Sequence, residues 1–284
     1  MQLLTLKDFP DYELIDSGGG MRLERFGKTI ISKPDPQAIW ERKAPVDVWN
    51  KVFAIFRNGK WEVSKKIPNP WIVEFENTKL LAKLTPFKHV GIFPEQAVFW
   101  KMTADIIKNS GMQKLKVLNL FGYTGAASIS CAKAGAFVTH VDASKPSISY
   151  AKENMLLSGL AENSIRWIID DAIKFTTREI KRGNLYDGII LDPPVYGHGP
   201  QGEPWDFYKN INQLLLNCKK LLSPKPIFII FNAYAISSSS IMLSHLLDDI
   251  TKGLNGKIEY GELTIQESYS RRLLSTGIFG YWIK

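Results

Sequence analysis

The chain has 284 residues, 36 Lys and Arg against 28 Asp and Glu, a formal net charge of +8 and 45% hydrophobic residues. That apolar content over this length is enough for a packed core and excludes a disordered chain, and no apolar run approaches the roughly 18 residues of a membrane span. The basic balance suits a polyanionic partner, nucleic acid included, without identifying one.

Residues 1–88 read as a small, mostly β domain. Short β-type runs at 12–15, 29–31, 52–56, 71–75 and 79–84 are separated by turn signals at Ser17 to Gly20, Lys33 to Pro36 and Arg57 to Gly59. Asn58-Gly59 between Val/Phe-rich runs is a strong hairpin signal, and Lys65 to Pro70 reads as a solvated loop. The character changes near Gly91. Residues 94–110 carry apolar side chains at helical spacing, with Pro94 tolerated in the first turn.

Strands and helices then alternate. Strands are expected at 115–121, 137–142, 165–170, 186–191 and 226–232, and helices at 126–134, 147–158, 171–181 and 205–222. Such alternation argues an α/β fold, a Rossmann-like and mostly parallel sheet covered on both faces. A helix at 241–252 and two β-type runs, 257–266 and 274–283, close the chain. Without a helix between them, the two runs should pair antiparallel at one edge. Residues 89–284 are thus expected to form one catalytic domain.

The chemistry is concentrated at strand ends. Phe121-Gly122-Tyr123-Thr124-Gly125 joins a strand to a helix rich in small residues. Its glycines permit a sharp turn and close approach of a ligand, although a plain strand-to-helix turn is the alternative. The spacing matches neither the dinucleotide fingerprint nor a P-loop, so a nucleoside ligand without pyrophosphate fits better. Asp142 ends the next strand, where an acid can accept from both ribose hydroxyls, or can simply be an exposed strand end. Of Asp170 and Asp171, one can accept from an adenine amino group while the other caps a helix; capping alone also accounts for the pair.

Asp192-Pro193-Pro194-Val195-Tyr196 is the sharpest signal. Two prolines remove two donors and leave carbonyls able to face a substrate amine. Asp192 adds an acceptor, and Tyr196 offers a stacking face for a planar base. The stretch from Gly197 to Gly202 reads as a mobile loop over the site, with His198 as a surface residue. Cys131 and Cys218 fall in helical stretches and read as small buried apolar residues, not as a disulfide or metal pair. With no signal-peptide pattern at the N-terminus, they suggest a cytoplasmic protein.

Together these residues resemble the class I S-adenosylmethionine-dependent methyltransferases. More closely they resemble the bacterial family that modifies 23S ribosomal RNA at cytosine C5 or guanine N7. The resemblance rests on Phe93 to Gln96, Asn119 to Gly125, Val141 to Ser144, Asp170-Asp171, Leu191 to Tyr196 and Tyr208 to Asn212. It implies S-adenosyl-L-methionine as cofactor, an RNA substrate and no metal. By resemblance, Gln96, Asn119, Phe121, Gly122, Tyr123 and Gly125, with Thr124 in the same loop, would cradle the methionine end. Asp142 would hold the ribose with Ala143 and Ser144 beside it, and Asp171 with Ala172 would contact adenine next to Asp170. Asp192, Pro193, Pro194 and Tyr196 would flank the sulfonium and the incoming base.

Cytosine-C5 members attack the ring with a cysteine in the Pro-Pro motif or after the fifth strand. Here those places read Pro193-Pro194-Val195 and Asn232-Ala233-Tyr234-Ala235. Carbon methylation through a covalent adduct is therefore disfavoured, and Asn232 is a candidate to orient a base edge for direct transfer to nitrogen, or else a satisfied strand-end residue. The basic residues Arg22, Arg25, Lys28, Arg42, Lys43, Arg271 and Arg272 are candidate phosphate contacts. Two rivals stay open: a methyltransferase acting on protein or a small molecule, and a non-catalytic RNA-binding module on the same scaffold.

Overall fold

Short strands closed by tight turns occupy the first third of the computed structural model, which describes residues 1–234 and 236–284. They are β1 (Gln2–Thr5), β2 (Tyr12–Gly18), β3 (Met21–Phe26) and β4 (Thr29–Pro34), then the one-turn helix α1 (Val46–Trp49). β5 (Ala54–Arg57), β6 (Lys60–Val63), β7 (Ile72–Phe75) and β8 (Thr78–Leu81) follow. β2 to β6 form one sheet in chain order, and β7 with β8 a separate hairpin. The Asn-Gly signal is realised at the β5–β6 turn, where Asn58 and Gly59 have φ of 49° and 75° and Arg57 stands opposite Lys60. Both central residues are left-handed, as a type I′ hairpin requires.

β3 carries no alternating apolar signal because its charged residues face inward as partners. Lys33 Nζ lies 2.9 Å from Glu24, and Arg22 Nε lies 3.5 Å from Glu24 and 3.7 Å from Asp35. All four are buried. Arg22 is therefore sealed inside an ion-pair network and is no phosphate contact, contrary to the sequence expectation. Arg25 is also engaged, donating to Glu13 and to the carbonyls of Gly27 and Pro10.

The second half alternates as expected: α2 (Ala97–Asn109), β9 (Lys116–Leu120), α3 (Ala126–Lys133), β10 (Phe137–Asp142), α4 (Lys145–Leu157), β11 (Ile165–Ile169), α5 (Ala172–Lys181) and β12 (Gly188–Leu191). Then come β13 (Tyr196–His198), β14 (Pro204–Asp206), α6 (Phe207–Leu221), β15 (Phe228–Ala233), α7 (Ser240–Thr251), β16 (Lys257–Gln266) and β17 (Leu273–Ile283). Caps set the helix starts. Ser144, Asp171 and Asp206 accept from the backbone N–H groups of Ser147, Lys174 and Tyr208, satisfying donors that have no intrahelical partner.

The main sheet has the order β1-β16-β17-β15-β12-β9-β10-β11. β15, β12, β9, β10 and β11 run parallel, and β17 is antiparallel to β15. To the seven expected strands the chain adds β1 at the edge beside β16. Helices cover both faces. On one, α2 meets α3, where Ser130 Oγ donates to the Trp100 carbonyl. On the other, Asn217 of α6 donates to Thr176 of α5, over a core containing Phe175, Leu191, Leu214, Phe231 and Leu243. Each such fully buried side chain contributes about 1.5–3 kcal/mol relative to exposure.

The expected loop after Tyr196 is instead a hairpin. Tyr196 pairs with Asp206 and His198 with Pro204, so α6 begins at Phe207, two residues later than the apolar spacing suggests. The sequence reading divides the chain at 88/89. The structure groups Thr5–Val98 with Leu263–Thr276 in one unit, and Met1–Leu4, Phe99–Glu262 and Gly277–Lys284 in the other.

Candidate active site

Strand register builds the site before any side chain is considered. Across the parallel strands Phe231, Leu191, Leu120, Val141 and Ile168 stand side by side. The next residue on each strand is Asn232, Asp192, Phe121, Asp142 and Ile169, and Asp170 follows Ile169. With neighbouring strands about 4.8 Å apart, these residues line one carboxyl edge. The chain order reverses between β9 and β12, and such a reversal opens the crevice in which α/β sheets bind ligands.

The glycine loop is held from below. Asn119 is buried, and its amide donates to Ser128 Oγ at 2.9 Å; that hydroxyl lies 2.9 Å from His140 Nδ1. Burial pushes the His140 imidazole down to about 3, so it stays neutral. A Cβ on Gly122 would stand 2.3 Å from His140 Cε1, and one on Gly125 2.9 Å from the Ala151 Cβ. Both glycines are thus required by packing inside the protein, and Gly125, at φ 87°, by the turn as well. Phe121 and Tyr123 have φ of 58° and 49°, a left-handed strain that persists at sites where the surroundings enforce it. Thr124 is buried, and its carbonyl accepts from Asn154.

Asp142 Oδ2 accepts from the Tyr123 N–H and Oδ1 from the Ser144 N–H, both at 2.8 Å. Burial raises its carboxyl above the ordinary range, and the two N–H donors oppose that rise. Each oxygen has a second lone pair, and together they form an acceptor pair suited to a vicinal diol. Ala143 lies between the two turns. Asp171 is the cap of α5, with Ala172 buried behind it. Asp170 accepts from the Asp171 N–H and pairs with Arg178. Both carboxylates therefore have structural partners.

At the Asp-Pro-Pro turn, Asp192 is half-buried, Pro193 buried and Pro194 exposed, while Tyr196 is 70% exposed. The Pro194 carbonyl does not face outward for a substrate amine: it accepts from Trp205 Nε1 at 2.7 Å. The same indole packs 4.8 Å from the Phe121 ring, so Trp205 ties the glycine loop to the Asp-Pro-Pro turn. Nothing in the sequence marks Trp205 for that role, since β14 is invisible to apolar spacing. Asn232 is buried in β15. Gln96 ends a turn of 3-10 helix, Pro94–Gln96, in the other unit. Ala235, last of the stretch read for a nucleophile, lies outside the described residues.

Both cysteines are buried, Cys131 on α3 and Cys218 on α6, and burial pushes each thiol up to about 12. Cys131 donates to Thr103 Oγ1. They are the small core residues that their surroundings suggest. Among the described residues no helix is long and apolar enough to cross a membrane.

No family model matches the chain. Relatives and solved structures do. Ribosomal RNA large subunit methyltransferase K/L of Shewanella frigidimarina is 33% identical over 163 residues, 57% of this chain and 22% of that protein. Ribosomal RNA large subunit methyltransferase I of Shewanella denitrificans is 25% identical over 218 residues, 76% of this chain and 52% of that protein. The chain thus spans between about a fifth and about half the length of these relatives. A Streptococcus mutans protein assigned as a SAM-dependent methyltransferase shares the fold, with a TM-score of 0.73 at 16% identity over 98% of this chain and 76% of that one. The SAM-dependent methyltransferase of Agrobacterium tumefaciens superposes with a TM-score of 0.96 at 40% identity, over 100% of this chain and 93% of that chain. With this likeness over its whole length and a reversal of strand order at the carboxyl edge of the sheet, the chain belongs to the class I S-adenosylmethionine-dependent methyltransferases.

Proposed function

We propose that the enzyme transfers a methyl group from S-adenosylmethionine directly to a base nitrogen of RNA, ribosomal RNA of the large subunit in particular. The observation that carries the nitrogen assignment is the fate of the two cysteines. Both are buried on helices as protonated thiols, whereas attack on a cytosine ring needs a thiolate beside the substrate. The RNA assignment draws on the names of the curated relatives, which are large-subunit ribosomal RNA methyltransferases.

In this reading Asp142 accepts from the two ribose hydroxyls, with Ala143 and Ser144 in its turn. Asp171 and Ala172, beside Asp170, border the adenine. Phe121, Gly122, Tyr123, Thr124 and Gly125 border the methionine end, and Asn119 acts from beneath the loop through Ser128. The bound sulfonium supplies an activated methyl group, so the protein's main task is alignment, which can be worth about 7–11 kcal/mol. Asp192, at the end of β12, accepts a hydrogen bond from the acceptor N–H. The Asp192 carboxylate would take up the proton that this nitrogen releases on being methylated. Pro193 and Pro194 fix the turn, Tyr196 presents its exposed ring to the base, and Asn232 orients the base edge.

Transfer of tritium from labelled cofactor into ribosomal RNA of a deletion strain, followed by nucleoside mass spectrometry, tests the proposal. An N-methylated base is the expected product. Label confined to protein, or found in 5-methylcytidine, would refute it. Asp192→Ala should abolish turnover while leaving cofactor affinity within about tenfold, because its hydrogen bond is made to the acceptor.

A further inference from the structure

The N-terminal β unit carries a concave site that the methyl-transfer reading does not use. A cavity of about 330 Å³ is lined by Arg42, Trp49, Asn50, Arg57, Glu62 and Ser64. Its rim includes Val46 and Val63, 73% and 55% exposed. The volume falls at the low end of the small-ligand range, about 300–1,000 Å³, enough for one unstacked nucleotide.

Of its two cations, Arg42 is held in place. The Arg42 guanidinium lies 3.8 Å from the centre of the Trp49 ring, and its Nε donates to the Gly18 carbonyl at 3.4 Å. Close contact with the indole and the bond from Nε limit the motion of the guanidinium, whose terminal nitrogens can grip phosphate oxygens. Gly18 fixes the segment that bears Arg42, since a Cβ there would stand 2.6 Å from the Arg42 nitrogen. Next to it Arg272 lies 5.2 Å from the Trp40 ring centre and donates to the Glu41 carbonyl.

Charge is concentrated on the same segments. Residues 40–66 hold seven Lys and Arg against three Asp and Glu, and Arg271 and Arg272 add two more cations. Six of the chain's net eight positive charges therefore reside on these two segments. A polyanion with planar, apolar bases complements such a surface better than an acidic peptide does, because the cavity rim is aliphatic as well as basic.

We infer that the Arg42–Trp49 cavity is a binding site for one nucleotide of single-stranded RNA, with Arg42 and Arg57 on its phosphates. The inference rests on the RNA reading and adds to it a second point of attachment, separate from the methylated base.

The test is binding of a fluorescent single-stranded RNA to the full-length protein over a series of salt concentrations. It compares wild type, Arg57→Glu, Arg42→Gln/Arg57→Gln, and a control reversal on α6, Lys220→Glu. Both Arg57 variants should bind RNA at least about tenfold more weakly, and the double variant should lose about 1.4 from the salt slope, 0.7 for each phosphate contact. Affinity for S-adenosylhomocysteine should stay within twofold of wild type, and Lys220→Glu should bind RNA as wild type does. Unchanged RNA affinity in the Arg57 variants, or an equal loss in Lys220→Glu, would overturn the cavity assignment while leaving the RNA reading standing. Absence of RNA binding by wild type would remove both.

Discussion

At Gly122 the missing side chain matters because His140 fills the space beneath. Gly122→Ala should force the imidazole aside, and overpacking of this kind costs about 1–3 kcal/mol. Thermal unfolding, read beside titration with S-adenosylhomocysteine, checks it: the melting temperature should fall and the cofactor should bind more weakly. Asp142→Ala should lower stability, because the Tyr123 and Ser144 N–H groups lose their acceptor, and should weaken cofactor binding by about 1–3 kcal/mol, the loss of charged hydrogen bonds. That the glycine loop and Asp142 follow neighbouring strands was legible in the sequence. Their reasons were only partly so, because His140 and Ala151 lie on other elements and no local pattern places an imidazole under a loop. Trp205 was missed for the same reason: its contacts, Phe121 and Pro194, lie 84 and 11 residues away in sequence.

Among the elements, α5 separates two roles for one side chain. If Asp171 serves only as cap, Asp171→Asn should hold stability, since Asn caps about as well, while Asp171→Ala should lose about 0.5–2 kcal/mol. Denaturant titration of both variants measures this, and a fall in cofactor affinity for Asp171→Asn at unchanged stability would assign the carboxylate to the adenine as well. The alternation of strands and helices was readable because buried parallel strands are continuous apolar runs. β3 was not, because Arg22 and Glu24 are buried as partners and look like surface residues in the sequence. Gly197 and His198 of β13 were read as loop and the last two residues of β14 as the start of a helix, because three-residue strands carry no period long enough to detect.

For the molecule as a whole, buried titratable groups set the acid limit. Burial alone would raise the Glu179 carboxyl, but hydrogen bonds from Arg166, Tyr186 and Arg182 outweigh it and hold the group at about 2. Its stabilisation is therefore complete above the unfolded value near 4.5 and is lost as pH falls toward 2. His140, lowered to about 3 by burial, works in the same direction from a higher pH: the unfolded imidazole takes up a proton below about 6.5 that the folded one refuses. Stability should be flat near neutrality and decline in two stages on acidification, the first below about pH 6.5 and the second below about pH 4.5. Glu179→Gln should remove the second stage in urea titrations across pH; an unchanged second stage would show that other carboxylates dominate. Net charge hinted at a polyanion, yet could not reveal that Arg22 is sealed inside while Arg42 and Arg57 border a cavity.

A crystal structure with S-adenosylhomocysteine tests the central claim most directly. The ligand should lie across the carboxyl ends of β9, β10 and β12, with both ribose hydroxyls on the Asp142 carboxylate and the sulfur facing the Asp192 turn. A ligand bound elsewhere, or one whose ribose leaves Asp142 untouched, would contradict the account.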